Sequence, residues 1–174
     1  MKRSCIKIAA AACAALCFLF RLTGCARGGR PVLWYQDALE AAVLEEGGRT
    51  WTLAPVPGGF SVRLDAPASA AGVTFTVTDA ASYASAGGVS IPVTEAMLAG
   101  AGRLAALFTL REEELFELAA SHADGEAAIA RYRGAAGETS VALGADSAPL
   151  YFEDAAGRVT VVRLDARTGE TNGN

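Results

Sequence analysis

Few groups of side chains in this sequence have the types and spacing of a nucleophile with its acid and base. His122 is the only histidine, and Ser121 and Asp124 lie beside it. A serine, a histidine and a carboxylate can together attack an ester or an amide, but they must converge in a fixed orientation. Neighbours at the end of a helix rarely do so, and we expect His122 to lie at the surface or to cap that helix.

Carboxylate pairs offer a second kind of chemistry, the acid–base cleavage of a glycosidic bond. The acidic run 112–114 is more typical of the solvated start of a helix, and Asp65 and Asp165 fall at strand ends beside turns. A small hydrolase is therefore the least favoured function. With one histidine and every cysteine near the N-terminus, a zinc site also lacks ligands, so the sequence predicts no catalytic residue, no metal and no cofactor.

The four cysteines, Cys5, Cys13, Cys17 and Cys25, lie in an N-terminal leader or at its end. The leader begins with basic residues and continues with the apolar run 8–20, which is typical of a secretory signal. A helix of this length reaches only about 20 Å, well short of the roughly 30 Å hydrocarbon core of a membrane. We therefore expect export without a permanent span, and no disulfide in the exported part.

The tetrapeptide Leu22-Thr23-Gly24-Cys25 resembles the lipobox of bacterial lipoproteins, although Arg21 stands where an uncharged residue is usual. The resemblance implies that residues 1–24 are a signal peptide, and that the Cys25 sulfur carries a diacylglyceryl group that partners the membrane. Residues 25–35 would be the lipidated cysteine and its tether, at the outer face of the cytoplasmic membrane. The alternative is an uncleaved N-terminal anchor.

The charge of the exported part excludes one class of partner. The chain has 15 Lys and Arg against 19 Asp and Glu, and four of the basic residues lie in the leader. The remaining 11 basic residues leave a net charge of about −8. Such a domain is repelled by nucleic acid and by anionic lipid head groups, so no nucleic-acid role is expected.

Beyond the leader, the pattern favours an antiparallel meander that begins near Gln36. Gly47-Gly48 and Gly58-Gly59 are turn signals between alternating polar and apolar residues. The clearest alternation, in residues 73–78, places three apolar side chains on one face and three threonines on the other. Further strands are predicted at 83–86, 89–91, 127–132, 139–143, 150–153 and 159–164.

The middle of the domain is predicted to be helical. Residues 94–108 carry apolar side chains at three- and four-residue spacing, with Thr94 as a possible N-cap. Thr109 and Glu112 have the spacing of a capping box, which predicts a second helix as far as about Ser121. The polar tail 167–174 is predicted to be disordered.

This order of elements resembles the lipoproteins of spore-forming and related gut Firmicutes that are similar to the carrier LolA and the germination lipoprotein GerS. The resemblance rests on short motifs between Gln36 and Leu164, which are Gly58-Gly59-Phe60-Ser61-Val62, Asp65-Ala66-Pro67, Ala71-Gly72-Val73-Thr74-Phe75 and Gly157-Arg158-Val159-Thr160-Val161. It implies an open antiparallel barrel around a helical lid, as in carriers of acyl chains, although the carrier itself has no lipid anchor.

We therefore expect an α+β domain over residues 36–166, a curved antiparallel sheet or open half-barrel. One or two central helices would pack on its concave face, with a signal-peptide helix before it. Its apolar residues would form either a pocket for an acyl chain or a peptide, or a filled core. The leading hypothesis is a non-enzymatic, membrane-anchored lipoprotein whose half-barrel binds an apolar ligand or an envelope partner protein. The alternative is a homodimeric interaction module with a filled core that acts in sporulation, germination or cell-wall regulation. The residues concerned are Trp51, Phe60, Val62, Phe75, Val77, Met97, Leu104 and Phe108.

Overall fold

The computed structural model describes residues 32–135 and 137–167, with Ala99 in its backbone only. The predicted signal peptide, the lipobox Leu22–Cys25 and the first part of the tether lie outside these residues, as does the tail after Arg167. Within the described part, no helix is both long and apolar enough to cross a membrane.

Eleven antiparallel strands form one open sheet in the described part of the chain. They are β1 (Leu39–Glu46), β2 (Arg49–Val56), β3 (Gly59–Ala66), β4 (Thr74–Thr78), β5 (Ser82–Ala86), β6 (Val89–Pro92), β7 (Leu115–Ala120), β8 (Ala128–Gly134), β9 (Gly137–Leu143), β10 (Pro149–Asp154) and β11 (Gly157–Ala166). Their order is β6-β5-β4-β3-β2-β1-β11-β10-β9-β8-β7. The sheet thus consists of two meanders joined where β1 pairs with β11, and the predicted antiparallel sheet is confirmed.

The domain begins earlier than the predicted start at Gln36. A short helix, α1 (Trp34–Ala38), precedes β1, and both Leu33 and Tyr35 are buried in the core. These residues belong to the apolar run 32–35, which gains more from burial than it could in a solvated tether. At the other end, the backbone N–H of Arg167, the first residue of the predicted tail, donates to the Ala38 carbonyl at 2.8 Å.

The first predicted helix is confirmed, and the second is wrong. Helix α2 spans Glu95–Leu107 after Thr94, whose side chain makes no capping hydrogen bond. The acidic run forms one 3-10 turn, Glu112–Glu114, and the chain then enters β7, which pairs along its length with β8. The sheet supplies this segment with backbone hydrogen bonds, and this tertiary contact outweighs its helix propensity.

The core lies between helices and one face of the sheet, called here the inner face. Its buried strand residues include Leu44, Leu53, Val62, Phe152 and Val159. Helix α2 adds Leu98, Ala101, Leu104, Ala105 and Leu107, followed by Phe108 at its C-cap. The helix contacts β3 and β4, so it packs on the half of the sheet that ends at β6.

Candidate functional site

The inner face stays apolar past the part of the sheet that α2 contacts. On successive strands, Val62 lies opposite Phe75, Phe75 opposite Ala84, and Ala84 opposite Ile91. Side chains that lie directly opposite each other in an antiparallel pair project from the same face. One row of apolar side chains therefore runs from the buried core at Val62 to the edge strand at Ile91.

Apolar side chains flank this row on both sides. Phe60 lies opposite Val77 on one side of it, and Ala86 lies opposite Val89 on the other side, on the same face as Ile91. Phe75 and Val77 are half-buried and pack against the core. Towards the edge the exposed fraction rises to 50% for Ile91 and 65% for Val89, so this end of the inner face is open to solvent.

Met97 adds exposed apolar surface on the helix that packs on this half of the sheet. It precedes Ala101, Leu104 and Phe108 by four, seven and eleven residues, and so belongs to the stripe of α2 that faces the core. Because it lies in the first turn, soon after β6 ends, it is 59% exposed. We call Phe75, Val77, Ala84, Val89, Ile91 and Met97 together the apolar shelf.

The β5–β6 hairpin holds the outer part of the shelf in position. Gly87 and Gly88 both have positive φ, 55° and 82°, as a type I′ turn requires, and this turn matches the twist of the strands it connects. The turn fixes the register that places Val89 opposite Ala86. Pro92 at the end of β6 has no backbone N–H, so the edge is poorly suited to pair with another strand.

The structure divides the eight residues predicted to form a pocket or a core. Trp51, Val62, Leu104 and Phe108 are buried in the interior, where the Phe108 ring lies 5.2 Å from that of Phe152 and 6.0 Å from that of Tyr35. Phe60 is half-buried against them. Phe75, Val77 and Met97 belong to the shelf. The register that aligns Phe75 with Ile91 through Ala84 could not be read from the sequence alone.

An ion-pair cluster at Arg103 holds α2 to the sheet. Its guanidinium donates to Asp154 at 2.8 and 2.7 Å, to the Gly157 carbonyl at 2.6 Å, and also to Glu46. Burial alone would raise the pKa of Asp154, but the hydrogen bonds and charge of Arg103, together with backbone hydrogen bonds from Ala156 and Gly157, outweigh burial and hold it below its usual range. Helix α2 is thus tied to the β1–β2 and β10–β11 turns.

The residues considered for catalysis are not arranged as a nucleophile and its base. Ser121 donates to the Glu126 carboxylate at 2.6 Å, and the Tyr151 hydroxyl donates to the same carboxylate at 2.8 Å. These two hydrogen bonds lower the pKa of Glu126, which makes it a weaker base. His122 is exposed and lies beyond the end of β7. The helix that it was predicted to cap does not form, because residues 115–120 make up that strand.

A polar hollow of about 340 Å³ lies on the β1–β2 turn, away from the predicted pocket residues. It is lined by residues 45–50 together with Arg158 and Thr160. Arg158 is already engaged, since it pairs with Glu153 at 2.9 Å and stacks on Tyr151. Among the described residues, no three His, Cys, Asp or Glu side chains are grouped closely enough to hold a metal ion.

Comparison with known proteins gives no family. No family model matches the chain, and no curated protein does so significantly. One solved structure, of an uncharacterized conserved protein from Thermus thermophilus, is 16% identical over 78% of this chain and 83% of that chain, with a TM-score of 0.46. A likeness this distant supports no inference about function.

Proposed function

We propose that the chain is an exported, non-enzymatic lipoprotein, anchored by acyl chains on Cys25 to the outer face of the cytoplasmic membrane. Its sheet-and-helix domain binds a partner protein of the envelope at the apolar shelf. The exposure of Val89, Ile91 and Met97, beside a face that is buried nearer the centre of the sheet, is the observation that carries this proposal. Apolar side chains grouped in this way are typical of interaction surfaces.

A partner protein fits the shelf better than an acyl chain does. Binding sites for small apolar molecules enclose most of the ligand surface, and an acyl chain gains about 0.8 kcal/mol only for each CH₂ that is removed from water. The shelf is open on one side, and the residues beneath it, Trp51, Val62 and Leu104, are buried against each other. An acyl chain could enter the interior only if α2 moved away.

We also propose that the sheet curves and that α2 lies on its concave face, as in an open half-barrel. Four inter-strand steps separate β3 from β10, which is about 19 Å in a flat sheet. The ring of Phe108 lies 6.5 Å from Phe60 on β3 and 5.2 Å from Phe152 on β10. β-Bulges at several strand pairs would supply the bend.

Site-specific photocrosslinking in cells tests the binding surface. A crosslinking amino acid at Val89 or Ile91 should capture one envelope protein, whereas the same amino acid at Val162 should not. Val162 is a suitable control because it is also exposed, at 55%, but lies on β11. Equal capture from both positions, or from neither, would contradict the proposed surface.

Two further observations test the alternative functions, an acyl-chain carrier and a homodimeric module. Protein lacking residues 1–25 and freed of lipid should not take up a fluorescent fatty acid, and stoichiometric uptake would favour the carrier. If the crosslinked species contains a second copy of this chain, the homodimeric module is favoured. A captured protein of sporulation, germination or cell-wall function would identify the pathway.

A further inference from the structure

The polar hollow at the β1–β2 turn is built on the face of the sheet that points away from the core. Glu45 follows the buried Leu44 on β1 and therefore projects from the opposite face. It lies directly opposite Thr160 on β11 and Thr50 on β2, and all three side chains line the hollow. Two inter-strand steps, about 10 Å, separate the two threonines. A carboxylate thus lies between two hydroxyl groups in one short row.

Arg158 borders this row in a fixed position. It precedes Thr160 by two residues on β11 and so projects from the same face. Its Nη2 atom donates to Glu153 at 2.9 Å, and its guanidinium lies over the Tyr151 ring, 3.9 Å from the centroid. A guanidinium has five N–H groups, so this arginine can still donate to a ligand in the hollow.

The charges that line the hollow balance each other. Glu46 is paired with Arg103, and Arg158 has its own carboxylate partner. Within the described part of the chain, Glu45 and Arg49 form no ion pair. One negative and one positive charge therefore remain, and their sum is zero. An ion would lose part of its hydration there without a net attraction in return, so the hollow favours a neutral ligand.

The hydrogen-bonding groups of the hollow favour a ligand that both donates and accepts. The Glu45 carboxylate only accepts, the Arg49 guanidinium only donates, and the hydroxyls of Thr50 and Thr160 do either. None of these four side chains makes a hydrogen bond within the residues that the structure describes. A hydroxyl group can donate to a carboxylate and accept from a guanidinium. Several hydroxyls on one neutral ring, as in a sugar, match the whole set.

We propose that the hollow is a saccharide-binding site, in which Glu45 accepts hydrogen bonds from sugar hydroxyls and Arg49 and Arg158 donate to sugar oxygens. Its volume of about 340 Å³ suits a small ligand. Its lining residues include no aromatic ring on which a sugar could stack, so we expect weak binding, with a Kd of about 1 mM. The site lies on the opposite face of the sheet from the apolar shelf and does not depend on it.

Saturation-transfer NMR on the full-length protein, in a detergent whose head group contains no sugar, tests the proposal. The neutral probes are chitotetraose, cellotetraose and maltotetraose, and the charged probes are tetragalacturonate and glycine. At least one neutral tetrasaccharide should receive saturation from the protein, whereas the anion and the zwitterion should not. Absence of transfer to all three neutral probes would overturn the proposal, as would equal transfer to tetragalacturonate or glycine.

Two substitutions locate the binding. Glu45→Gln and Thr160→Val should each raise the Kd of the best neutral probe by about fivefold or more, because each removes a hydrogen-bonding group from the row. The matched controls are Glu113→Gln, on the exposed 3-10 turn, and Thr76→Val, on β4, and both should leave the Kd unchanged. Glu45 and Thr160 are exposed, so the circular-dichroism spectrum should not change. If the substitutions in the hollow have no larger effect than their controls, the sugar binds elsewhere and the assignment is wrong.

Discussion

Arg103 of α2 and Asp154 at the end of β10 form a two-point ion pair, in which Nε and Nη2 lie 2.8 and 2.7 Å from the two carboxylate oxygens. The pair is largely shielded, with side-chain exposures of 15% and 19%. A charged pair held in this geometry is stronger than a solvated one. It connects a helix to a turn that is distant in the sequence.

Replacing Arg103 by Met should destabilise the domain by about 2–4 kcal/mol, because Asp154 and Glu46 would be left half-buried without a counter-charge. Urea denaturation measures the loss. Arg163→Met is the matched control, since Arg163 and Asp165 form a pair that is mostly exposed, and its loss should be under about 1 kcal/mol. Equal losses at both positions would show that Arg103 has no special part in holding α2.

The same pair predicts how stability depends on pH. The pKa of Asp154 is lowered in the folded protein, so its contribution is complete above the pKa of the unfolded chain and is lost as pH falls through the folded value. The free energy of unfolding should therefore fall as the pH drops below about 4. Asp154→Asn should flatten this slope, and an unchanged slope would place the titrating group elsewhere.

The alternation of residue types allowed most of the sheet to be predicted. Residues 73–78 place apolar and polar side chains on opposite faces, and the Gly-Gly pairs mark tight turns, so local signals agree with the final fold. The segment 115–120 carried a helical pattern instead. It became β7 because β8 was available to pair with it, a contact between distant elements that no local pattern contains.

The shelf was only partly predictable for the same reason. Phe75, Val77 and Met97 were expected to be pocket or core residues from their periodicity, but periodicity cannot tell how far a helix covers a sheet. Val89 and Ile91 join the shelf through cross-strand pairing with Ala86 and Ala84. The Gly87-Gly88 turn was the available signal, since it predicts the hairpin that makes this pairing.

Alanine substitutions at the two ends of the core-facing stripe of α2 should distinguish a core residue from a surface residue. Phe108→Ala should destabilise the domain by about 3–5 kcal/mol, because Phe108 is buried against Tyr35, Phe60 and Phe152. Met97→Ala should cost under about 1 kcal/mol, since the side chain is exposed. Met97→Ala should nevertheless weaken crosslinking from Val89, and unaltered crosslinking would remove Met97 from the binding surface.

Alanine substitutions at two glycines should change the stability of the domain in opposite directions. At Gly59 a Cβ would lie 2.0 Å from the Val77 carbonyl oxygen, so Gly59→Ala must push β3 and β4 apart and should destabilise by about 1–3 kcal/mol. Gly100 lies inside α2, and the nearest atom to its Cβ would be Trp51 Cζ2 at 4.0 Å. Gly100→Ala should therefore stabilise by up to about 1 kcal/mol, and thermal denaturation of both variants checks the two signs.

The proposed lipid anchor predicts where the domain will be found when Cys25 is changed. With a net charge of about −8 after the leader, the domain cannot be held on an anionic membrane by charge, so under this proposal the acyl chains retain it. Cys25→Ala should abolish labelling by radioactive palmitate and move the protein from the detergent phase to the aqueous phase, with an unchanged circular-dichroism spectrum. Cys17→Ala, inside the leader, should keep both labelling and membrane association. If Cys25→Ala stays in the membrane at full precursor length, the leader is an uncleaved anchor and the lipobox hypothesis is wrong.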